Sequence, residues 1–509
     1  MNYVSLVQIY SIYMNNISKP RFIISVLLIS LITAIVSLNS DVSELLFLDL
    51  QTFLSKYLGW MIIILANGFV IFSIFLLFTK YKHIRLGGQD AKPTYSYTNW
   101  IAMLFSAGLG IGLLFYGVAE PIMHLNSYPG MIEGDVSYNA GKAIGLANLH
   151  WGLHGWAIYS SLGLCFAYAS YNKNLPFRVS SLLGESISKN KPVAIIIDII
   201  AILTTVFGVT TSLGLGTIQI SSGLGHVFSI NETFSNQVII IAVITLIGLI
   251  SVCLGLDSGI KRLSQINMIL ATTLMLFIFI FGPTVFILNA LIQNFGSYVN
   301  TLIESATWTE VYETTSWQNG WTLFFYTWWF AWAPFVSLFI ARISYGRSIK
   351  EFVIGVLFVP SFIVFLWMGI FGNAAIYQVI NETSQLNEIV NNSYSVALFA
   401  LFDVYPIAKI ASVFSLILIV TFFVTSSDSG ALVASMLSSK SQTSINDNSP
   451  LLSRVTWAIL LGILAGVLLY AGGLTALQTS VVVTGVPFSI IVVFACRHFY
   501  RSLESELDN

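Results

Sequence analysis

Aromatic residues crowd one apolar stretch of the chain, and their type and spacing define the chemistry that the sequence favours. Residues 320–352 read GWTLFFYTWWFAWAPFVSLFIARISYGRSIKEF, which places Trp328, Trp329, Trp332 and Phe335 in a segment too apolar for a water-exposed surface. The face of an aromatic ring attracts cations, most strongly where water is excluded. Rings gathered inside a membrane therefore favour a poorly hydrated quaternary ammonium ion as ligand.

A second aromatic group lies earlier in the chain, in NLHWGLHGWAIYSSLG. Trp151, Trp156 and Tyr159 lie at offsets 0, 5 and 8, which fall within one arc of a helix. They fit contact with a ligand, and equally plain packing or an interfacial aromatic belt. His150 and His154 have the i, i+4 spacing of metal ligands, but no third ligand is evident, so polar packing is the preferred interpretation.

Glycine at every second position marks a weak point in the segment SAGLGIGLLFYGVAEP. Gly108, Gly110 and Gly112 each cost a helix about 1 kcal/mol relative to alanine, so the helix is expected to break there. Broken helices at membrane depth are tolerated where they line a cavity, and they are typical of transporter sites. The alternative is close helix packing, because Gly108 and Gly112 also form a GxxxG pair.

Oxygen-bearing side chains cluster in TFFVTSSDSGALVAS. Small hydroxyl ligands together with freed carbonyls suit a hard monovalent cation such as sodium. Serine and threonine also bond back to their own helix, and that alternative stays open. Asp428 is either functional or an anchor at the membrane boundary. The members of this hydroxyl cluster are Thr425, Ser426, Ser427, Asp428 and Ser429.

Composition sets the fold class. Of 509 residues, 56% are hydrophobic and 9% charged, and the mean hydropathy is +0.82. Soluble domains carry about 25% charged residues, so the sequence predicts an all-α protein that crosses the membrane many times. A net charge of −1 implies no nucleic-acid partner. The predicted spans are 21–40, 58–79, 97–119, 144–170, 193–226, 237–255, 264–291, 320–341, 352–376, 408–438, 453–472 and 475–497.

The connecting loops alternate in charge. Basic residues follow spans 2, 4, 6, 8 and 10, and the other loops are poor in them. The positive-inside rule then places both termini in the cytoplasm. The predicted segments are a short cytoplasmic N-terminus (1–20), two additional spans (21–92), a first repeat of spans 3–7 (93–295), an interfacial extracytoplasmic segment (296–319), a second, inverted repeat of spans 8–12 (320–497) and a short cytoplasmic tail (498–509).

Four motifs together resemble the betaine/carnitine/choline transporter family over nearly the full length. They are AGLGIGLLFYGVAEP, HWGLHGWAIY, WWFAWAPFVSLFIARISYGR and FFVTSSDSG. The resemblance implies a leucine-transporter-like core of two inverted five-helix repeats, preceded by two extra helices and assembled as a homotrimer. It also implies a bacterial inner-membrane location and a carrier, not an enzyme.

The resemblance assigns roles to individual residues. Trp151, Trp156, Tyr159 and Trp329 would form an aromatic box around the methylated cation. Trp328 and Trp332 would line the path to it, and the three glycines of span 3 would border the substrate. A sodium ion would bind the main-chain oxygens of Ser106, Leu109 and Phe422 and the hydroxyls of Thr425 and Ser426.

Two departures from the family pattern affect ion coupling. A second sodium in the betaine symporter uses two threonines one turn apart, whereas this chain has Thr205 but Val209, so a second ion on Thr205 and Phe335 is in doubt. The sodium-independent antiporter fills the first site with an arginine, whereas spans 3 and 5 here contain no arginine or lysine and span 10 has only Lys409, in its first turn and away from Thr425. That absence favours sodium as the coupling ion, with no other cofactor.

The prediction of the substrate rests on Gly112, because choline carriers of the family tend to have an acidic residue at this position. An added acid would repel the carboxylate of a zwitterion. The sequence therefore predicts import of glycine betaine or a similar onium zwitterion such as dimethylsulfoniopropionate, by alternating access. The alternative is a sodium-independent or proton-coupled carrier of choline or carnitine. The short tail makes strong osmotic regulation less expected.

Overall fold

α-Helices form the regular structure of this protein. The computed structural model describes residues 16–108, 110–254, 256–313, 315–440 and 449–507, with the backbone alone for 105–108, 254, 256–262 and 264. These described residues contain no β-strand, which confirms the all-α prediction. The long helices are α1 (Lys19–Leu38), α2 (Ser40–Phe78), α3 (Tyr97–Gly108), α4 (Ile111–Ser127), α5 (Val136–Trp151), α6 (Leu153–Tyr171), α7 (Lys191–Phe228), α8 (Phe234–Leu254), α9 (Leu256–Phe281), α10 (Thr284–Thr307), α11 (Thr322–Ile343), α12 (Ile349–Ile380), α13 (Ala408–Leu437) and α14 (Leu451–Leu507).

Within the described ranges, eight helices are long and apolar enough to cross a membrane, or nine if the bent pair α9–α10 counts as one span. The helices α3, α4, α5 and α6 have 12, 17, 16 and 19 residues, because predicted spans 3 and 4 are each interrupted. Roughly 20 residues are needed to span hydrocarbon as one helix. The count of twelve spans and the inverted repeat therefore stay predictions.

Apolar side chains also cover the outside of the molecule. Leu31 on α1, Leu246 on α8 and Ile280 on α9 are exposed, as are many other large hydrophobic residues of these helices. An exposed apolar surface of this extent suits lipid, not water. The large rings of α11 are buried instead, so α11 lies inside the helix assembly.

The longest helix, α14, is kinked at Gly472 and Gly473. Gly473 has a φ of 55° and a ψ of −130°, a backbone conformation that only glycine adopts readily. The kink falls between the predicted spans 453–472 and 475–497. The helix then continues to Leu507, through most of the segment predicted as a tail.

A sharp bend separates α9 from α10. Their axes differ by 109° across Gly282 and Pro283, so α10 cannot continue the direction of α9. Proline lacks the N–H that would extend the hydrogen-bond ladder, which explains the stop. The predicted end of span 7 at residue 291 is therefore wrong, because α9 ends at Phe281. The helix that was expected to lie along the membrane within 296–319 begins earlier, at Thr284.

Candidate functional site

The structure brings the four residues of the aromatic box together around Trp329. The ring centroid of Trp329 lies 5.8 Å from Trp151, 6.3 Å from Trp156 and 5.1 Å from Tyr159. Trp156 and Tyr159 also meet edge to face, at 5.6 Å. All four side chains are at most 7% exposed. Faces and edges of rings from α5, α6 and α11 therefore meet in one buried place.

Two features of the neighbouring helices fix the position of Trp329. A Cβ atom at Gly155 would lie 2.3 Å from its ring, so only glycine allows the indole to lie against α6. The indole N–H donates to the main-chain oxygen of His150 at 2.7 Å. The ring is thus held by one steric and one polar contact from outside its own helix.

Trp151 belongs to a different helix from Trp156 and Tyr159. The backbone breaks at Gly152, which has φ −92° and ψ −130° and separates α5 from α6. The single helical arc predicted for these three rings is therefore wrong, because 100° per residue does not hold across a break. They come together through Trp329 and not through a shared helical face.

The three glycines of span 3 lie at the predicted break. Helix α3 ends at Gly108, Gly110 has an extended backbone with φ −148° and ψ −165°, and α4 starts at Ile111. A Cβ at Gly112 would lie 2.4 Å from Trp151. Gly112 therefore lies directly beside the box, at the first turn of α4.

The other two tryptophans of α11 lie next to two glycines of the broken span 3. A Cβ at Gly112 would lie 3.0 Å from Trp328, and one at Gly110 would lie 3.8 Å from Trp332. Trp328 packs against Trp332 at 6.2 Å, and Trp332 against Phe335 at 5.7 Å. A row of rings thus follows one side of α11 past the broken helix.

Some indole N–H groups are paired and others are not. Trp332 donates to the main-chain oxygen of Gly208 on α7 at 2.8 Å, and Trp151 donates to a carboxylate oxygen of Glu120 at 2.7 Å. The buried Nε1 atoms of Trp156 and Trp328 have no acceptor among the described residues. A buried donor without a partner costs about 1–3 kcal/mol, and a bound ligand with acceptor oxygens would remove that cost.

Thr425 of the predicted sodium site bonds within its own helix. Its hydroxyl lies 2.9 Å from the main-chain oxygen of Phe422 and 3.1 Å from that of Thr421. The amide of Asn267 on α9 also reaches the hydroxyl, at 3.3 Å. Two of the predicted sodium ligands, the Thr425 hydroxyl and the Phe422 carbonyl, are therefore hydrogen-bonded to each other.

Two further predicted sodium ligands, Ser106 and Ser426, lie on α3 and α13. Ser426 is half-buried on α13, and the backbone of Ser106 belongs to the last turn of α3. Leu109 lies outside the described residues. Ile111 and Phe423 both border Gly216 of α7, where an added Cβ would lie 2.9 Å from one and 2.8 Å from the other. The start of α4 and the middle of α13 thus share a neighbour.

Thr205 is buried and donates to the main-chain oxygen of Ala201 at 2.8 Å, so its hydroxyl is satisfied within α7. Val209, one turn later, packs against α13, because a Cβ at Gly430 would lie 2.7 Å from it. At the position where the betaine symporter has its second threonine, this chain has an apolar contact between two helices.

A polar cluster that sequence reasoning missed lies directly behind Trp151. Glu120 is fully buried, and one of its oxygens lies 2.6 Å from Nδ1 of His150 and 3.0 Å from Nε2 of His124. The other oxygen accepts the Trp151 indole N–H. Span 3 was predicted to end at residue 119, whereas α4 runs on to Ser127 and carries Glu120 into the interior.

Glu120, His124 and His150 are also of the residue types that bind metals, and their ligand atoms all lie within 4.8 Å of one another. Zinc ligands at about 2.0 Å from a tetrahedral ion would be about 3.3 Å apart. The observed 2.6 and 3.0 Å separations are those of hydrogen bonds. His154 takes no part and lies 3.2 Å from Asn67.

Comparison with known proteins identifies the family. Residues 20–508 match the model of the betaine/carnitine/choline family transporters. The chain is 39% identical over 492 residues to a glycine betaine transporter of Acinetobacter baylyi, covering 96% of this chain and 74% of that protein. It is 40% identical over 465 residues to the glycine betaine transporter OpuD of Bacillus subtilis, covering 90% and 88%.

A third relative transports a different compound by its name. The high-affinity choline transport protein of Escherichia coli is 36% identical over 495 residues, covering 97% of this chain and 73% of that protein. The family and these relatives are membrane transporters and not enzymes. This chain belongs to the betaine/carnitine/choline transporter family.

Proposed function

We propose that this protein imports glycine betaine or a similar onium zwitterion such as dimethylsulfoniopropionate, coupled to sodium, by alternating access. The observation that carries the proposal is the packing of Trp151, Trp156 and Tyr159 around Trp329, beside the broken span 3. Two relatives named glycine betaine transporters support the choice of substrate.

The aromatic box suits the cationic head. A trimethylammonium group cannot donate hydrogen bonds, so it gains little from polar side chains and much from ring faces. Each desolvated contact between a cation and a ring contributes up to about 2 kcal/mol. Several such contacts approach the roughly 8 kcal/mol of micromolar affinity. Trp156 and Tyr159 on α6 and Trp329 on α11 would supply them from two sides.

The carboxylate of a zwitterion suits the groups next to the box. The first N–H groups of α4 lack intrahelical acceptors, and the start of a helix carries partial positive charge. Gly112 lies there with no side chain to cover the backbone. Trp328, whose indole N–H has no acceptor among the described residues, borders Gly112. An anion is therefore expected on this side of the cation.

Sodium would bind where the break in span 3 adjoins α13. The Thr425 hydroxyl and the Phe422 carbonyl are close enough to become two ligands of one ion if the hydroxyl proton turns away. Sodium is a hard cation that prefers oxygen ligands. Its binding would draw the end of α3 towards α13 and order the glycine segment beside the box, which is the step that couples ion and substrate.

A sodium-independent or proton-coupled carrier of choline or carnitine is the second candidate. It is favoured by the relative named as a choline transport protein. The same box would bind choline, because choline carries the same trimethylammonium head. The two candidates differ in the ion requirement and in the preferred compound, because choline lacks a carboxylate and carnitine is a larger zwitterion. One assay therefore separates them.

The test is uptake of labelled compounds into proteoliposomes or into cells that lack onium transporters. The panel contains glycine betaine, dimethylsulfoniopropionate, choline and carnitine, each in sodium medium and with sodium replaced by potassium. We expect glycine betaine and dimethylsulfoniopropionate to enter fastest, and only with sodium. Faster uptake of choline or carnitine would reject the proposed substrate, and unchanged uptake in potassium would reject the coupling ion.

A further inference from the structure

The strongest unassigned feature of the interior is the carboxylate of Glu120 behind the aromatic box. It is 0% exposed, and its hydrogen-bond partners are two histidines and one box tryptophan. In the described part of the chain, no lysine or arginine forms a salt bridge with it, and the titratable groups bonded to it are His124 and His150. A buried carboxylate is costly unless it is well bonded, so a specific role is expected.

Three nitrogen atoms surround the carboxyl group of Glu120, and all three can donate to it when it is ionised, which is the state that we propose. Trp151 can only donate, which fixes one oxygen as an acceptor. If His150 donates from Nδ1, its Nε2 accepts from the hydroxyl of Thr322 at 3.0 Å. His124 then donates from Nε2 to the same oxygen of Glu120. Neutral histidines in these tautomers give the anion three N–H donors.

The cluster is connected to two rings of the box. Trp151 is bonded to Glu120 directly, at 2.7 Å. Trp329 donates to the main-chain oxygen of His150, whose ring is held by Glu120 and Thr322. Glu120 is thus bonded directly to the box ring on α5. It also bonds to the side chain of His150, the residue whose main-chain oxygen accepts from the box ring on α11.

We propose that Glu120 is a positioning residue that makes the site selective for a positively charged head, acting through Trp151. The inference deepens the proposed function and rests on it. An N–H bonded to an anion pushes electron density into the indole and makes its face more negative, which strengthens attraction to a cation. The negative charge also acts on the cation directly across an apolar interior, where it is weakly screened.

Glu120→Gln is a matched change for this test. The amide has the same shape, and its oxygen still accepts from Trp151. Its NH₂ group has two protons, which can be donated to Nδ1 of His150 and Nε2 of His124 if both imidazoles change tautomer. Nε2–H of His150 then donates to Thr322, because a hydroxyl also accepts. The variant therefore removes the charge and keeps the bonds that place the rings.

The experiment measures displacement of labelled glycine betaine from purified protein in proteoliposomes. The competitors are glycine betaine and its carbon isostere 3,3-dimethylbutanoate, which has the same shape and carboxylate but no positive charge. We expect Glu120→Gln to lower the affinity for glycine betaine about tenfold and the affinity for the isostere less than twofold. Only glycine betaine has a positive charge that can interact with the carboxylate and with the ring faces. Equal weakening of both ligands, or of neither, would overturn the proposal.

Thr322→Val is the structural control, because it disturbs the support of His150 without changing any charge. It should affect both competitors equally. If Glu120→Gln does not fold, Trp151→Phe keeps a ring and breaks the route to Glu120, and it should reduce the preference for the charged ligand in the same direction. An unchanged preference in that variant would reject the route.

Failure of this inference is separable from failure of the proposed function. Trp329→Leu in the same assay tests the box itself. If that variant binds glycine betaine as the parent does, the proposed function fails. If it loses binding while Glu120→Gln keeps the parent's preference for the charged ligand, only the role of Glu120 fails.

Discussion

Two tryptophans of the aromatic box and Thr425 of the hydroxyl cluster donate their hydrogen bonds in opposite ways. In the box, Trp329 donates to a residue 179 positions away, and Trp151 to one 31 positions away. In the hydroxyl cluster, Thr425 donates to carbonyls three and four positions before it. The two rings are therefore held by the assembled fold, whereas the proton of Thr425 is held by its own helix.

The difference explains what each region needs in order to bind. Rings held by remote partners are already placed, so an onium ion can meet them with little rearrangement. A hydroxyl that donates to its own helix must turn its proton away before it can accept a sodium ion. We therefore expect substrate affinity to depend on the tertiary structure of the box, and ion affinity to depend on a local change in α13.

The largest expected effect is at the centre of the box. Trp329→Leu keeps apolar bulk and removes a ring face worth up to about 2 kcal/mol, so glycine betaine affinity should fall about thirtyfold. Trp329→Phe, which keeps a ring and loses only the bond to His150, should lose less. Equilibrium binding of labelled glycine betaine measures both. Equal affinities of the parent and the leucine variant would place the substrate elsewhere.

A steric change at the edge of the box should have the next largest effect. Gly112→Ala would place a Cβ 2.4 Å from Trp151, whose ring cannot easily retreat because Glu120 holds its N–H. Overpacking of this kind costs about 1–3 kcal/mol, so the KM for uptake should rise about tenfold. Gly110→Ala is the matched control, since its Cβ would meet only Trp332, at 3.8 Å. A larger loss in the control would contradict the close contact.

Substitutions in the hydroxyl cluster should change the sodium concentration needed for uptake more than they change substrate affinity. Thr425→Ala removes one proposed ligand, and we expect the sodium concentration for half-maximal uptake to rise about fivefold, a loss of about 1 kcal/mol. Thr425→Ser keeps the hydroxyl and should stay near the parent value. Thr421→Ala, which loses only a bond back to Leu418, controls for helix stability. Equal shifts in both alanine variants would leave Thr425 without a role in ion binding.

The smallest effect is expected at Thr205. Its hydroxyl bonds back to Ala201, and Val209 fills the place of a second threonine, so a second sodium lacks a ligand pair. Thr205→Ala should change the half-maximal sodium concentration less than about twofold, because a back-bonded hydroxyl contributes little net stability. Thr217→Ala, another back-bonded threonine of α7, is the control. A tenfold shift at Thr205 alone would restore the second ion site.

The break in span 3 was predictable because three alternate glycines weaken a helix locally. The break at Gly152 was not, since a single glycine in an apolar run also fits a continuous helix. Glu120 was missed because a carboxylate normally ends a span, and its donors Trp151 and His150 lie 31 and 30 residues further on. The helix-breaking tendency of the glycines could be predicted from the sequence alone. The burial of Glu120 could not, because the partners that stabilise it are distant in the chain and come close only in the folded protein.

The break at Gly152 places the rings of the aromatic box on two separate helices of the same chain segment. Trp151 belongs to α5, whereas Trp156 and Tyr159 belong to α6. A small tilt of α5 or α6 about Gly152 would change the distance between the ring of Trp151 and the rings of Trp156 and Tyr159, without any side chain changing its rotamer. A bound substrate that contacts rings on both helices would resist that tilt. Substrate binding would therefore shift the equilibrium between conformations of the protein.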